Sequence, residues 1–265
     1  MPMADEEKKA AEPAVLFESV TVSYMNNPAL RDVTVALPAG RLTSVTGPNG
    51  AGKTTFLRAL LGLMPLDSGR VLVFGQPVDA VRKNLAYVPQ TESVDWDFPI
   101  TARDVVMMGR YPHLRMLRRP HERDHHAVDR ALERVVMKEY ADRHIRQLSG
   151  GQQQRIFIAR ALAQEADMLI LDEPFTGIDA RTEETLLDLI TKLSREGKTL
   201  VIVNHDLSLL DRFDFVLLLN RTVVAAGPPD EAATPAMIRR AYSGALAHAD
   251  YAERLIHEGD INEFR

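Results

Sequence analysis

The residues Gly47-Pro48-Asn49-Gly50-Ala51-Gly52-Lys53-Thr54 place glycines, a lysine and a hydroxyl at the spacing of a phosphate-binding loop. Glycines there let backbone N–H groups turn toward phosphate oxygens, and a helix opening behind them adds partial positive charge. Lys53 would neutralise the β- and γ-phosphates of a nucleoside triphosphate, Thr54 would ligate magnesium, and Thr55 belongs to the same cradle. The plainer alternative is a glycine-rich turn that matches by accident. A second signal ends the apolar run Met168-Leu169-Ile170-Leu171-Asp172-Glu173. Adjacent strand residues point to opposite faces, so the two carboxylates meet different targets. Asp172 would hold magnesium directly or through water, and Glu173 would polarise an attacking water. The alternative here is a polar strand end entering the loop at Pro174.

Elements of the right kind surround both motifs. The extended run Leu42–Thr46 precedes the loop, and leucines at helical spacing follow it from Thr54 to Leu63, stopping at Gly62 and Pro65. Further extended runs are expected at Val15–Tyr24, Val33–Leu37 and Val71–Phe74, with Pro38-Ala39-Gly40 giving a hairpin-like break before Arg41–Thr46. Helical patterns begin at Thr101, run through Asp124–Lys138, and resume at Gln152–Ala163 after Gly150 and Gly151. Met168–Leu171, Leu200–Val203 and Phe215–Leu219 are short and wholly apolar, as strands covered on both faces are. Arg181–Glu196 is helical between the first two and ends at Gly197. Strand, helix, strand predicts a parallel sheet built from crossover units.

The stretch Leu148-Ser149-Gly150-Gly151-Gln152, followed by Gln153, Gln154 and Arg155, together with both motifs, resembles the ABC-type ATPase family, from about Leu16 to Gly227. The resemblance implies an α/β fold: a P-loop (RecA-like) parallel sheet core, an antiparallel β subdomain and an inserted α-helical subdomain. It implies ATP with magnesium, the ion held by Thr54, Gln90 and Asp172. Tyr24 would stack on adenine, Gln90 would sense magnesium and the attacking water, Asp179 would reach the partner subunit, and His205 would touch the γ-phosphate. Phe175-Thr176-Gly177-Ile178-Asp179 departs from the commoner Ser-Ala-Leu-Asp form but keeps the aspartate. Ser149 and the amides of Gly150 and Gly151 would form a second anion site, which two chains head to tail could place on each other's phosphates. The same residues also read as an N-capped helix start, His205 as a structural histidine, and Tyr24 as core.

The segment from Val88 through Trp96, Phe98 and Met107-Met108 to His113 looks like the ATPase subunits of manganese and zinc uptake systems, and less like those for siderophores or cobalamin. Family members set this region against a membrane permease, so the expected partners are a second, identical ATPase subunit, an integral permease and, indirectly, an extracytoplasmic substrate-binding protein. Trp96 reads equally as contact or core, and Met107 as core. The expected place is the cytoplasmic face of the membrane. A non-transport ATPase of DNA repair or translation is the rival, disfavoured by the lack of tandem units or a long coiled-coil insertion.

Composition narrows the field. The chain has 265 residues, 32 Lys and Arg against 37 Asp and Glu, and no cysteine, so thiolate chemistry and disulfides are excluded and no nucleic-acid partner is expected. No run approaches the ~18 apolar residues that cross a bilayer. Met1–Glu12 reads as a solvated tail. His121-Glu122-Arg123-Asp124-His125 spells a zinc-protease motif, yet it follows Pro120 at a helix opening where acids belong, and a solvated polar helix start is expected. Arg115, Arg118 and Arg119 read as a solvated or membrane-proximal face. The expected organisation is a tail at 1–13, one ATPase domain at 14–236 with its helical subdomain at about 91–163, and an extension of unassigned role at 237–265.

Overall fold

The computed structural model describes residues 12–25, 27–90, 99–114 and 119–243. They divide into two compact units, one formed by the chain up to Val81 and from His205 onward, the other by Arg82–Asn204.

The first unit opens with β1 (Val15–Tyr24), β2 (Asn27–Leu37) and β3 (Leu42–Thr46), then α1 (Lys53–Leu60), β4 (Ser68–Val73), β5 (Gln76–Pro77) and α2 (Val78–Val81). An antiparallel sheet runs β2-β1-β4-β5, with β1 and β2 paired from Val15↔Leu37 to Tyr24↔Asn27 through register shifts between Phe17 and Ser23. The hairpin expected at Pro38-Ala39-Gly40 does not form: β2 pairs with β1, whereas β3 belongs to a different sheet. The reason lies in burial. β2 alternates toward its C-terminal end, burying one face, while every residue of β3 is buried, so the two cannot share one half-solvated sheet. Phe17 of β1 stacks on Phe56 of α1 with ring centroids 4.2 Å apart, fixing the helix behind the phosphate loop to this sheet.

The second unit holds β6 (Leu85–Val88), α3 (Ala102–Met108), α4 (Glu122–Arg134), α5 (Gly150–Ala163), β7 (Met168–Asp172), α6 (Ala180–Arg195) and β8 (Thr199–Val203). β6, β7 and β8 are parallel neighbours, and α6 is the crossover between the last two. The expected apolar runs Met168–Leu171 and Leu200–Val203 are buried throughout. Helices α3, α4 and α5 pack on one another. Thr101 caps α3 through a reciprocal bond with Asp104, as the helical pattern starting there implies.

Back in the first unit, β9 (Phe215–Asn220) runs parallel to β3 and antiparallel to β10 (Thr222–Gly227), followed by α7 (Pro229–Ala232) and α8 (Pro235–Tyr242). α8 runs across the 236/237 boundary drawn from the sequence and buries Ile238 and Ala241. It packs against β9 and β10. Of the expected tails, 1–11 and 244–265 lie outside the described residues.

The zinc-protease spelling resolves into a helix start with a buried centre. His121 is the N-cap of α4, and among the described residues no group of three or more His, Cys, Asp or Glu is placed to hold a metal. Asp124 is not solvated: its side chain is 0% exposed, accepting from the His121 N–H at 2.9 Å and from Arg110 Nε at 3.0 Å. Arg110 also donates to Ala163 O and Glu165, tying α4 to the end of α5. Burial alone would raise the Asp124 pKa, but the His121 amide and the Arg110 guanidinium outweigh it, and the carboxyl titrates below its usual range.

Candidate functional site

The phosphate loop joins β3 to α1, as its sequence context requires. Gly52 is the N-cap of α1 at φ 94°, a left-handed backbone that suits glycine, and a Cβ there would fall 2.5 Å from Ala29 O. No side chain caps α1, and the first-turn amides of a helix lack intrahelical partners by construction, so the donors required for phosphate are presented at the right place. Lys53 is buried, with Nζ donating to Gly47 O at 2.7 Å and Pro48 O at 3.1 Å, so the ammonium already spans the loop it would serve. Asn49 and Gly50 form the exposed tip, Ala51 is buried beneath it, Thr54 is exposed and Thr55 is buried. The β9–β10 turn supports the loop from below, Arg221 N–H donating to Ala51 O at 2.8 Å. In the same unit, His205 is exposed. Tyr24 is 44% exposed, its hydroxyl near Met64 Sδ, so it is a surface ring rather than a core one.

The acidic strand end sits in the second unit. Asp172 closes β7 and accepts from Tyr87 Oη at 3.2 Å, a partner that sequence reading missed although Tyr87 lies on the adjacent strand β6. Glu173 follows at φ 47°, a left-handed conformation that costs a non-glycine residue about 1–2 kcal/mol. Its N–H donates to Val203 O of β8. Its Oε2 accepts from Gln90 Nε2 at 3.3 Å and from Thr176 Oγ1 at 3.4 Å, so Gln90 and Glu173, each expected from the sequence to act on the attacking water, are neighbours. Thr176 was the other missed partner. Its own N–H donates back to Glu173 O, a tight turn readable from the three-residue spacing.

Ser149 caps α5, its Oγ accepting from Gln152 N–H while Gln152 Oε1 accepts from the Ser149 N–H. The helix-start reading of Leu148–Gln152 is therefore realised, and it leaves the exposed Gly150 face in place. Gly150 has nothing within 4 Å of where a Cβ would stand, whereas at Gly151 a Cβ would meet Thr182 Cγ2 at 2.4 Å. Gly151 is thus demanded by the packing of α5 on α6; Gly150 is not. Thr182 cannot yield freely, because its Oγ1 donates to Asp179 Oδ2 at 2.7 Å and its N–H to Asp179 Oδ1 at 3.0 Å. Those two bonds, the hydroxyl first, hold the Asp179 pKa below the usual aspartate value. Asp179 is accordingly the N-cap of α6. Trp96 and Phe98 lie outside the described residues, as do Arg115 and Arg118, while Met107 and Met108 are half-buried on α3.

Comparison with known proteins agrees with this architecture. The family model described as ABC transporter matches residues 30–176. The zinc transport system ATP-binding protein TroB of Treponema pallidum is 48% identical over 88% of each chain. The manganese transport system ATP-binding protein MntB of Bacillus subtilis is 45% identical over 88% of this chain and 93% of its own. Among solved structures, an inward-facing metal-chelate-type ABC transporter superposes with a TM-score of 0.79 at 28% identity, covering 88% of this chain and 89% of the other. A dimeric ATP-binding cassette in a post-hydrolysis state, bound to ADP and phosphate, gives 0.71 at 26% identity, covering 81% and 98%. The chain belongs to the ABC transporter ATP-binding family. It is an ATP-hydrolysing cassette, with the α/β P-loop fold that its sequence implies.

Proposed function

We propose that this chain is the ATP-hydrolysing subunit of an importer of a divalent metal ion, manganese or zinc, working as a dimer of identical cassettes on a separate membrane permease. The observation that carries the reading is near full-length similarity, at 44–48% identity, to several manganese and zinc transport ATP-binding proteins. Among the described residues no helix is long and apolar enough to cross a membrane, which supports a peripheral position on a partner that does.

The roles follow from the residue chemistry. Gly47–Thr55 bind the triphosphate through backbone N–H groups and the Lys53 ammonium. Thr54, Gln90 and Asp172 supply oxygen donors, the hard set that magnesium prefers, and Tyr87 holds the Asp172 carboxylate in one orientation. A magnesium ion there would neutralise charge building on the phosphate oxygens. Glu173, steered by Gln90 and Thr176, accepts a proton from the attacking water, and His205 contacts the γ-phosphate. Tyr24 offers its ring face to adenine. Ser149, Gly150, Gly151 and Gln152 serve the phosphates of the opposing cassette, with Asp179 beside them, and Gly150 keeps that approach unobstructed. The permease works with an extracytoplasmic substrate-binding protein in this reading.

The test is uptake by the host cell. Deleting the gene should lower entry of radiolabelled manganese or zinc, with recovery by the wild-type chain but not by Lys53→Ala. Unchanged uptake of both ions, with loss of a metal chelate instead, would replace the free-ion reading. Resemblance to the chelated iron transport protein YfeB of Yersinia pestis, at 40% identity, is what favours that second reading.

A further inference from the structure

We propose that Tyr242, the last residue of α8, is a positioning residue for the phosphate loop, fixing Thr46, the residue from which the loop springs and on whose place nucleotide affinity depends. The proposal rests on the phosphate loop being the ATP site. α8 is anchored at both ends. Thr234 caps it, and Ala241 O accepts from Asn220 Nδ2 of β9 at 2.8 Å. This attachment delivers the Tyr242 hydroxyl to the base of the loop, 3.4 Å from Oγ1 of Thr46, the fully buried last residue of β3. The Gly47 backbone, next along the chain, lies beside the same phenol. Burial pushes the phenol pKa upward, so it stays neutral and can share a proton with Thr46.

Gly47 is enclosed on its other sides. Its carbonyl accepts from Lys53 Nζ at 2.7 Å, and a Cβ on Gly47 would stand 2.0 Å from Leu219 O of β9. A bound phosphate would draw the Lys53 ammonium, with its three N–H donors, toward its own oxygens and loosen its hold on the Gly47 and Pro48 carbonyls. The tie from Tyr242 is made to Thr46, away from both of those carbonyls, and is not exchanged. It therefore keeps the loop shaped for phosphate when the lysine lets go, which makes α8 a working part of the nucleotide site.

The test compares full-length wild type with Tyr242→Phe, Tyr242→Ala and Lys53→Ala, at a temperature where each is folded. Tyr242→Phe keeps the ring and loses one oxygen. Its Kd for ADP, by titration calorimetry, should rise about 3–10-fold with Tm within about 2 °C of wild type, and the effect on ATP hydrolysis should fall on KM rather than kcat. Tyr242→Ala should weaken ADP binding at least as much and also lower Tm. Wild-type ADP affinity in Tyr242→Phe, whether or not its Tm falls, overturns the positioning role. If Lys53→Ala also binds ADP as wild type does, the assignment of the loop as the nucleotide site fails instead.

Discussion

At the scale of single residues, the proposed function divides the chemistry between two side chains. Lys53→Ala removes a charge-assisted contact to phosphate, and its nucleotide Kd should rise about 10–100-fold by calorimetric titration. Glu173→Gln keeps the shape and the Gln90 and Thr176 neighbours but removes the proposed proton acceptor. Its steady-state turnover should fall about 10²–10⁴-fold while ATP affinity stays within about threefold of wild type. Full turnover in that variant would remove the catalytic assignment. The phosphate loop and the acidic strand end were readable in the sequence because their chemistry imposes residue type and spacing on consecutive positions. Tyr87, Thr182 and Tyr242 were not, because each acts through a contact that only the folded chain makes: Tyr242 meets Thr46, 196 positions away. Ser149 shows the intermediate case, where one side chain satisfies the helix-cap reading while leaving open the anion-site reading from the same letters.

Elements are held in place by a few stiff contacts. Gly151→Ala should destabilise the fold by about 1–3 kcal/mol, since its methyl would enter the space of Thr182 Cγ2. Gly150→Ala, in open space, should leave the chemical-denaturation midpoint unchanged or slightly raised. Pairing Gly151→Ala with Thr182→Ala should restore part of the loss; no restoration would show that the clash is not the cause. The buried Arg110–Asp124 pair joins α4 to the end of α5, and removing Arg110 leaves the Asp124 carboxylate buried without its cation, a loss of about 3–5 kcal/mol. Because the folded Asp124 pKa is depressed, its stabilising contribution is complete above the unfolded value near ~4 and is lost as pH falls through the folded value. Asp124→Asn should therefore flatten the acid limb of a stability–pH curve and leave the limb above neutrality unchanged in slope. The helices and buried strands were legible from period and capping. The placement of β2 was not, because the turn at Pro38-Ala39-Gly40 has local hairpin chemistry while burial assigns its flanking strands to different sheets.

For the whole molecule, function depends on partners that the fold implies without containing. The space beside Gly150 at the start of α5 lies open, and in the proposed dimer this is where the triphosphate of a second cassette would dock. Family membership was legible because its motifs are short and ordered along the chain. The transported ion was not, since the cargo would pass through the permease and leave no ligand set here. Sedimentation of the Glu173→Gln chain with and without magnesium ATP addresses the central claim most directly. The account predicts a nucleotide-dependent shift from one 29.6 kDa chain to twice that mass, reversed when Ser149→Arg blocks the opposing face. A wild-type chain that hydrolyses ATP at full rate while Glu173→Gln stays a monomer at saturating ATP would contradict it.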